Sequence, residues 1–169
     1  MYLNAEQIKD VLYFGDVENK GKAAQVGWDL TIKEVKAIGQ GNHMITKNSS
    51  NVDKSAYIKM PLMINPDSPK QHVFVLQPGP YSITFHQGCV LPDNVMAQIV
   101  QRSSLLRCGV EIKSAVYDPG FKTDLMGAVM IVHNTIQIEL GARVAQIIMS
   151  ETSKAEVYDG QYQESKDIK

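Results

Sequence analysis

The chain has 169 residues, is 44% hydrophobic and 21% charged, and carries a formal net charge of −1. That balance lacks the basic excess with which a duplex-binding protein neutralises phosphates, whereas a small anionic ligand needs only local positive charge. No run approaches the ~18 apolar residues of a membrane-spanning helix. The length suits one domain burying roughly 70% of its unfolded surface. The expectation is therefore a single soluble, cytoplasmic domain over residues 1–169, with no nucleic-acid or membrane partner. Cys89 and Cys108 show no CxxC spacing, which argues for ordinary thiols in a reducing compartment rather than a disulfide framework.

In chain order, Asn4-Ala5-Glu6-Gln7 reads as a helix start, with Asn4 as N-cap and Gln7 at the capping-box position. Ile8, Val11 and Leu12 form its apolar stripe. Short strand-like segments follow at Leu30–Val35 and Tyr57–Met60, separated by a polar, turn-rich stretch, 39–55, expected to be a surface loop or long hairpin. Asn65-Pro66-Asp67-Ser68-Pro69 is a turn before the buried strand Val73–Leu76. Tyr81–Phe85 alternates cleanly. Val95–Val100, Val110–Val116, Ala128–Val132, Ile136–Leu140 and Val144–Met149 complete the series. Many short strands with Pro/Gly punctuation describe a sandwich, barrel or jelly roll. The polar stretch from Tyr158 to Lys169 reads as a mobile tail.

Three segments carry residue types suited to chemistry. Arg102-Ser103-Ser104-Leu105-Leu106-Arg107 follows a strand and suits a short helix capped by Ser103 or Ser104. Its hydroxyls, free N–H groups and guanidinium fit an anion, and a plain capped helix with a surface arginine fits the spacing as well. Tyr117-Asp118-Pro119-Gly120-Phe121 is either an ordinary turn or a fixed base orienting water, with Phe121 as a wall for a sugar or base. Gly141-Ala142-Arg143-Val144-Ala145-Gln146 sets Gln146 in an apolar strand, where its amide needs a partner in the protein or a ligand. Trp28, beside Asp29, reads as core. The four histidines suggest no metal cluster, and neither H-x-E nor P-C-x-x-C occurs, which excludes zinc-dependent base deamination.

Taken together and in order, these segments resemble the family that joins trimeric dUTP diphosphatases and dCTP deaminases. VGWDL (26–30), RSSLLR (102–107), AVYDPGF (115–121) and GARVAQII (141–148) are similar to its first four motifs. DPGF and the double serine place the chain nearer the deaminase branch. The resemblance covers residues 25–163. It implies a mostly β, distorted jelly-roll or β-clip fold of the dUTPase type, with a short N-terminal and a short central helix. It further implies a homotrimer with active sites at subunit contacts, and Mg²⁺ carried on the triphosphate with a possible water-mediated link to Asp29.

By position, the resemblance gives Asp118 the attacking water and Phe121 the deoxyribose wall. Ser103, Ser104 and Arg107 would hold phosphates, with Arg102 and Gln146 helping to position the triphosphate. Tyr158, Tyr162 and Gln163 would close the tail over the nucleotide. In two places the chain departs from the pattern. Deaminases carry a glutamate three residues before an asparagine, and counting back from Asn134 gives Ile131. The tail lacks the glycine-rich fifth motif, with Glu164 where glycine is common. The resulting expectation is a Mg²⁺-dependent dUTP diphosphatase that yields dUMP and diphosphate and limits uracil entry into DNA. The alternatives are dCTP deamination, alone or coupled to diphosphate release and using Glu111 or Glu139, and a non-catalytic nucleotide-binding trimer.

Overall fold

The computed structural model describes residues 1–15, 18–153 and 158–160. Among these, α-helix is confined to α1 (Ala5–Val11) and α2 (Ser103–Arg107). The strands are β1 (Leu12–Phe14), β2 (Lys22–Ala24), β3 (Gly27–Ile38), β4 (Met44–Ile45), β5 (Ser50–Asn51), β6 (Tyr57–Lys59), β7 (Met63–Asn65) and β8 (Ser68–Leu76). They continue with β9 (Gly79–Phe85), β10 (Gln87–Val90), β11 (Val95–Gln101), β12 (Val110–Lys113), β13 (Lys122–Thr123), β14 (Gly127–Val132), β15 (Ile136–Glu139) and β16 (Arg143–Glu151). The mostly β architecture with two short helices matches the expectation.

The main sheet runs β11-β16-β3-β9-β14-β12, with β2 and β6 also paired to β3. Its neighbours are antiparallel throughout. The two ends of this order meet. Just beyond β12, the Ser114 hydroxyl receives the Ile99 N–H of β11 at 3.0 Å and donates to the Ile99 carbonyl at 3.3 Å. Ala97 and Tyr117 then exchange backbone hydrogen bonds of 3.0 and 2.8 Å. The sheet is thus almost closed into a barrel, which leaves little exposed edge. This crossing also explains why β12 stops at Lys113 rather than at Val116. Residues after Lys113 leave β14 and bond to β11 instead.

Inward residues of these strands form the core, with Leu30, Ile32, Val35, Leu76, Ile83, Phe85, Met130 and Ile147 at most 1% exposed. Tyr81, Ile83 and Phe85 point inward while Ser82 and Thr84 face out, the alternation expected of a strand buried on one face. Smaller sheets, β1-β10-β13 and β15-β8-β7, flank the main one. The polar stretch 39–55 holds the exposed hairpin β4-β5.

The predicted N-terminal helix is present with its cap. Gln7 N–H donates to Asn4 Oδ1 at 3.0 Å, and Asn4 N–H donates to Gln7 Oε1 at 2.9 Å. Ile8 drops from this helix into the core with no exposed surface. The apolar stripe does not stay helical. Leu12 adopts extended geometry and starts β1, which pairs with β10 at Cys89. The reciprocal cap satisfies two orphan N–H groups of a seven-residue helix that is too short to persist alone. Asn4→Ala should therefore lower global stability by about 1 kcal/mol in urea titrations, with an unchanged denaturant slope.

Candidate functional site

The first polar centre is built around Asp29, which lies in β3 and is only 6% exposed. Its Oδ2 accepts from Arg143 Nη1 at 3.1 Å and lies 3.5 Å from Arg102 Nε. Arg102 Nη1 donates to the Arg143 carbonyl at 3.2 Å, and Arg102 N–H to the Val144 carbonyl at 3.2 Å. The end of β11, the start of α2 and the start of β16 thus converge on one buried carboxylate. Around it opens a cleft of about 530 Å³ lined by Lys22, Gln101, Arg102, Ser103, Arg143 and Gln146, among others. Gly27 makes that approach possible, because a Cβ there would lie 2.6 Å from the Ile147 carbonyl and 2.9 Å from Gln146 Cγ.

Helix α2 differs from its expected capping. Arg102, not a serine, is the N-cap and makes no side-chain cap bond, while Ser103 and Ser104 are the first two helical residues. Arg102 cannot cap because a guanidinium offers only donors, and it is turned to Asp29 instead. The hydroxyls of Ser103 and Ser104 are left exposed, and that of Ser103 lines the cleft.

The second centre is built on the third motif segment, residues 115–121. Asp118 is exposed at the first position of a turn closed by Phe121 N–H to the Asp118 carbonyl at 3.1 Å. Pro119 occupies the second position and Gly120, with φ +80°, the third, as a type II turn requires. Gly120 N–H also donates to the Pro92 carbonyl at 3.1 Å, which moors the turn to the main body. Tyr117 anchors its other side, donating from its hydroxyl to the Gly127 carbonyl at 2.5 Å and receiving the Gly127 N–H at 3.2 Å. Burial pushes the Tyr117 phenol above its ordinary value, so the donor stays protonated.

Phe121 stacks edge-on against Tyr117 and Tyr158, with ring centroids 5.3 and 5.4 Å apart. Tyr158 N–H donates to the Pro119 carbonyl at 2.9 Å. Asp118, Phe121 and Tyr158 share a cleft of about 620 Å³ with Ser82, Thr84, Lys113, Ser114 and residues 127–129 of β14. The tail tyrosine therefore packs on the sugar-wall candidate of its own chain. Tyr162 and Gln163, the other expected tail residues, lie outside the described residues, as does Glu164.

The predicted site residues thus divide between two clefts that share no lining residue. Arg102, Ser103, Gln146 and Asp29 belong to one; Asp118, Phe121 and Tyr158 belong to the other. Ser104 and Arg107 are exposed on α2 and line neither. Arg143 was not among the predicted ligands, although it stands in the same GARVAQ segment as Gln146. Its signal was a charged residue two positions after a turn glycine, at the head of a largely apolar strand.

The carboxylates considered for base chemistry occupy other positions. Glu111 pairs in register with Ile131 and is held by Lys113 at 2.6 Å and His133 at 3.0 Å. Glu139 is exposed on β15, in a different sheet. Neither lines the Asp118 cleft. Cys89 is a buried free thiol pushed up to about 12 by burial, and Cys108 is an exposed free thiol.

Residues 5–152 match the family model described as dCTP deaminase-like. The chain belongs to the dCTP deaminase-like family. Among curated relatives, a probable deoxyuridine 5'-triphosphate nucleotidohydrolase of Halobacterium salinarum is 31% identical over 138 residues, covering 81% of this chain and 80% of its own. The deoxyuridine 5'-triphosphate nucleotidohydrolase of Methanocaldococcus jannaschii is 31% identical over 151 residues, covering 89% and 92%. A crystal structure of 2'-deoxycytidine 5'-triphosphate deaminase from Agrobacterium tumefaciens superposes with a TM-score of 0.56 at 17% identity. It covers 88% of this chain, which spans 47% of that longer one. This likeness supports the mostly β, nearly closed barrel-like fold of the chain.

The Glu111 cluster has a pH signature. Hydrogen bonds from Lys113 and then His133 hold the Glu111 carboxyl below its ordinary 4.5. Because the folded-state value lies below the unfolded one, this stabilisation is complete above the unfolded value and is lost as pH falls through the folded one. A carbon-13 NMR titration of Glu111 should show a midpoint below 4.5 that moves upward in Lys113→Met.

Proposed function

We propose that this protein is a Mg²⁺-dependent dUTP diphosphatase that hydrolyses dUTP to dUMP and diphosphate. Asp118 carries the reading. It is an exposed carboxylate on a rigid turn, facing a nucleoside-sized cleft with an aromatic wall, and it is the sole carboxylate among the described residues lining that cleft. The names of the relatives, deoxyuridine triphosphate nucleotidohydrolases, point the same way.

In this reading Asp118 accepts a hydrogen bond from the attacking water and takes up its proton as oxygen adds to the α-phosphorus. The bond from that phosphorus to the bridging oxygen breaks, and diphosphate leaves. Phe121 packs on the deoxyribose and crowds a 2′-hydroxyl. Arg102, Arg143, Ser103 and Gln146 hold the phosphates by charge-assisted and neutral hydrogen bonds, and Gln146 has an amide with no partner among the described residues. Ser104 and Arg107, exposed on the same helix but outside the lining of this cleft, are assigned to the phosphates by the motif alone.

Because the phosphate and nucleoside clefts share no residue, one copy of the chain supplies each half, and a homotrimer closes the sites. Exposed Val26 and Val100 near the phosphate cleft, and Val116 and Val129 at the nucleoside cleft, are the apolar surface such contacts would bury. The donor set fits magnesium that arrives on the triphosphate. Among the described residues no group of three His, Cys, Asp or Glu side chains could hold an ion. Asp29 already receives two guanidiniums and is left a water-mediated contact at most. When bound, the ion neutralises phosphate charge and keeps several of its waters.

Deamination of dCTP fits the family but not this cleft. Attack on cytosine needs a proton shuttle beside the ring. Glu111, the candidate nearest in sequence, is engaged by Lys113 and His133 and held in its charged form.

The deciding assay offers dUTP and dCTP separately, with Mg²⁺, and identifies the products. dUMP and diphosphate from dUTP, with dCTP unchanged, are expected; ammonia from dCTP would overturn the preference, and dUTP binding without turnover would favour a non-catalytic trimer. Asp118→Asn should cut turnover by about 10²–10⁴-fold, with the Kd for a non-hydrolysable dUTP analogue changed less than about threefold. A matching loss of binding would remove Asp118 from its assigned role.

A further inference from the structure

The charge balance of the phosphate cleft singles out a residue that none of the sequence motifs contains. Three cations line the cleft: Lys22, Arg102 and Arg143. Both arginines are already committed to Asp29, at 3.5 and 3.1 Å. Among the described residues Lys22 has no carboxylate within ion-pair distance, and its side chain is exposed to the cleft.

Strand register aims it there. Lys22 of β2 pairs directly with Asp29 of β3, and Asp29 pairs with Gln146 of β16. Residues directly opposite on antiparallel strands share a face. Lys22, Asp29 and Gln146 therefore form one row on one side of the sheet, with strands about 4.8 Å apart. The arm that carries Lys22 is also held firmly. Trp28 Nε1 donates to the Lys20 carbonyl at 2.7 Å, and the Asn19 carbonyl accepts from Thr31 Oγ1 at 3.0 Å and from the buried Gln87 amide. Gly21, with φ +73°, makes the turn into β2, where a Cβ would fall 2.0 Å from the Asp29 carbonyl.

We propose that Lys22 is a triphosphate-binding residue, the one cation lining this cleft with no carboxylate partner among the described residues, and that it grips the β- and γ-phosphates beside Gln146 and the Asp29-bound arginines. The inference rests on the phosphate role given to this cleft above. A compact ammonium with three donors suits phosphate oxygens that arrive in more than one geometry. A protein cation here offsets triphosphate charge that magnesium and the partly neutralised arginines leave over.

The test is calorimetric binding of α,β-imido-dUTP with Mg²⁺, and separately of dUMP, to wild type, Lys22→Met and Lys22→Arg, with diphosphate release from dUTP followed in parallel. Lys22→Met should weaken the imido-triphosphate by about tenfold or more, the usual effect of losing a charged hydrogen bond. It should leave dUMP affinity unchanged, raise KM more than it lowers kcat, and be largely rescued by Lys22→Arg. Unchanged triphosphate affinity in Lys22→Met would overturn the proposal, and so would an equal loss for dUMP and the imido-triphosphate, which would mark Lys22 as merely structural. If wild type binds the triphosphate but does not cleave dUTP, the diphosphatase reading fails while the affinity comparison still decides Lys22. No triphosphate binding by wild type would overturn both.

Discussion

A buried carboxylate held between two guanidiniums is the interaction on which the rest of the molecule turns. Asp29 sits in the longest strand, β3, with its side chain 8% exposed. An ion so far out of water is costly unless paired and hydrogen-bonded. Its partners come from the start of α2 and the head of β16, 73 and 114 residues further along the chain. Satisfying this one charge therefore places three elements at once. It also explains why a short helix without a side-chain cap sits where it does: the donor-only arginine at its N-cap cannot accept from the helix and is tied to Asp29 instead.

A second constraint operates around Asp118 and uses backbone geometry instead of charge. Pro119 restricts φ at one turn position, and Gly120 supplies the positive φ that the next one needs. Hydrogen bonds from Tyr117 to Gly127 and from Gly120 to Pro92 fasten the turn on both sides. The carboxylate is thereby exposed on a support that cannot swing, which is the usual requirement of a group that aims water. Tyr158 packs edge-on against Phe121 within the same chain.

These two constraints act at different places on one barrel, and the separation has a functional consequence. Under the proposed function, a nucleoside triphosphate meets both the cation-rich cleft and the carboxylate. With no residue common to the two, the complete site would then depend on how copies of the chain come together. Exposed valines beside each cleft are consistent with surfaces awaiting a partner.

By itself the sequence determined the strand-rich class, the capped first helix, the Asp-Pro-Gly turn and the identity of most candidate ligands. All of these follow from local rules: side-chain periodicity, capping chemistry and the restricted φ of proline and glycine. The extent of β12 was misjudged because Ser114, seventeen residues after Ala97, turns the chain from β14 to β11, and such a crossing leaves no mark in a residue pattern. The short strands β1, β2, β10 and β13 were missed because two to four residues carry too little alternation to register. Only the tertiary structure decided that Asp29 belongs to the arginines, that Glu111 is engaged by Lys113 and His133, and that Lys22 faces the same cleft as Gln146. Those relations depend on strand register across long loops, where a shift of one residue would turn every side chain to the other face.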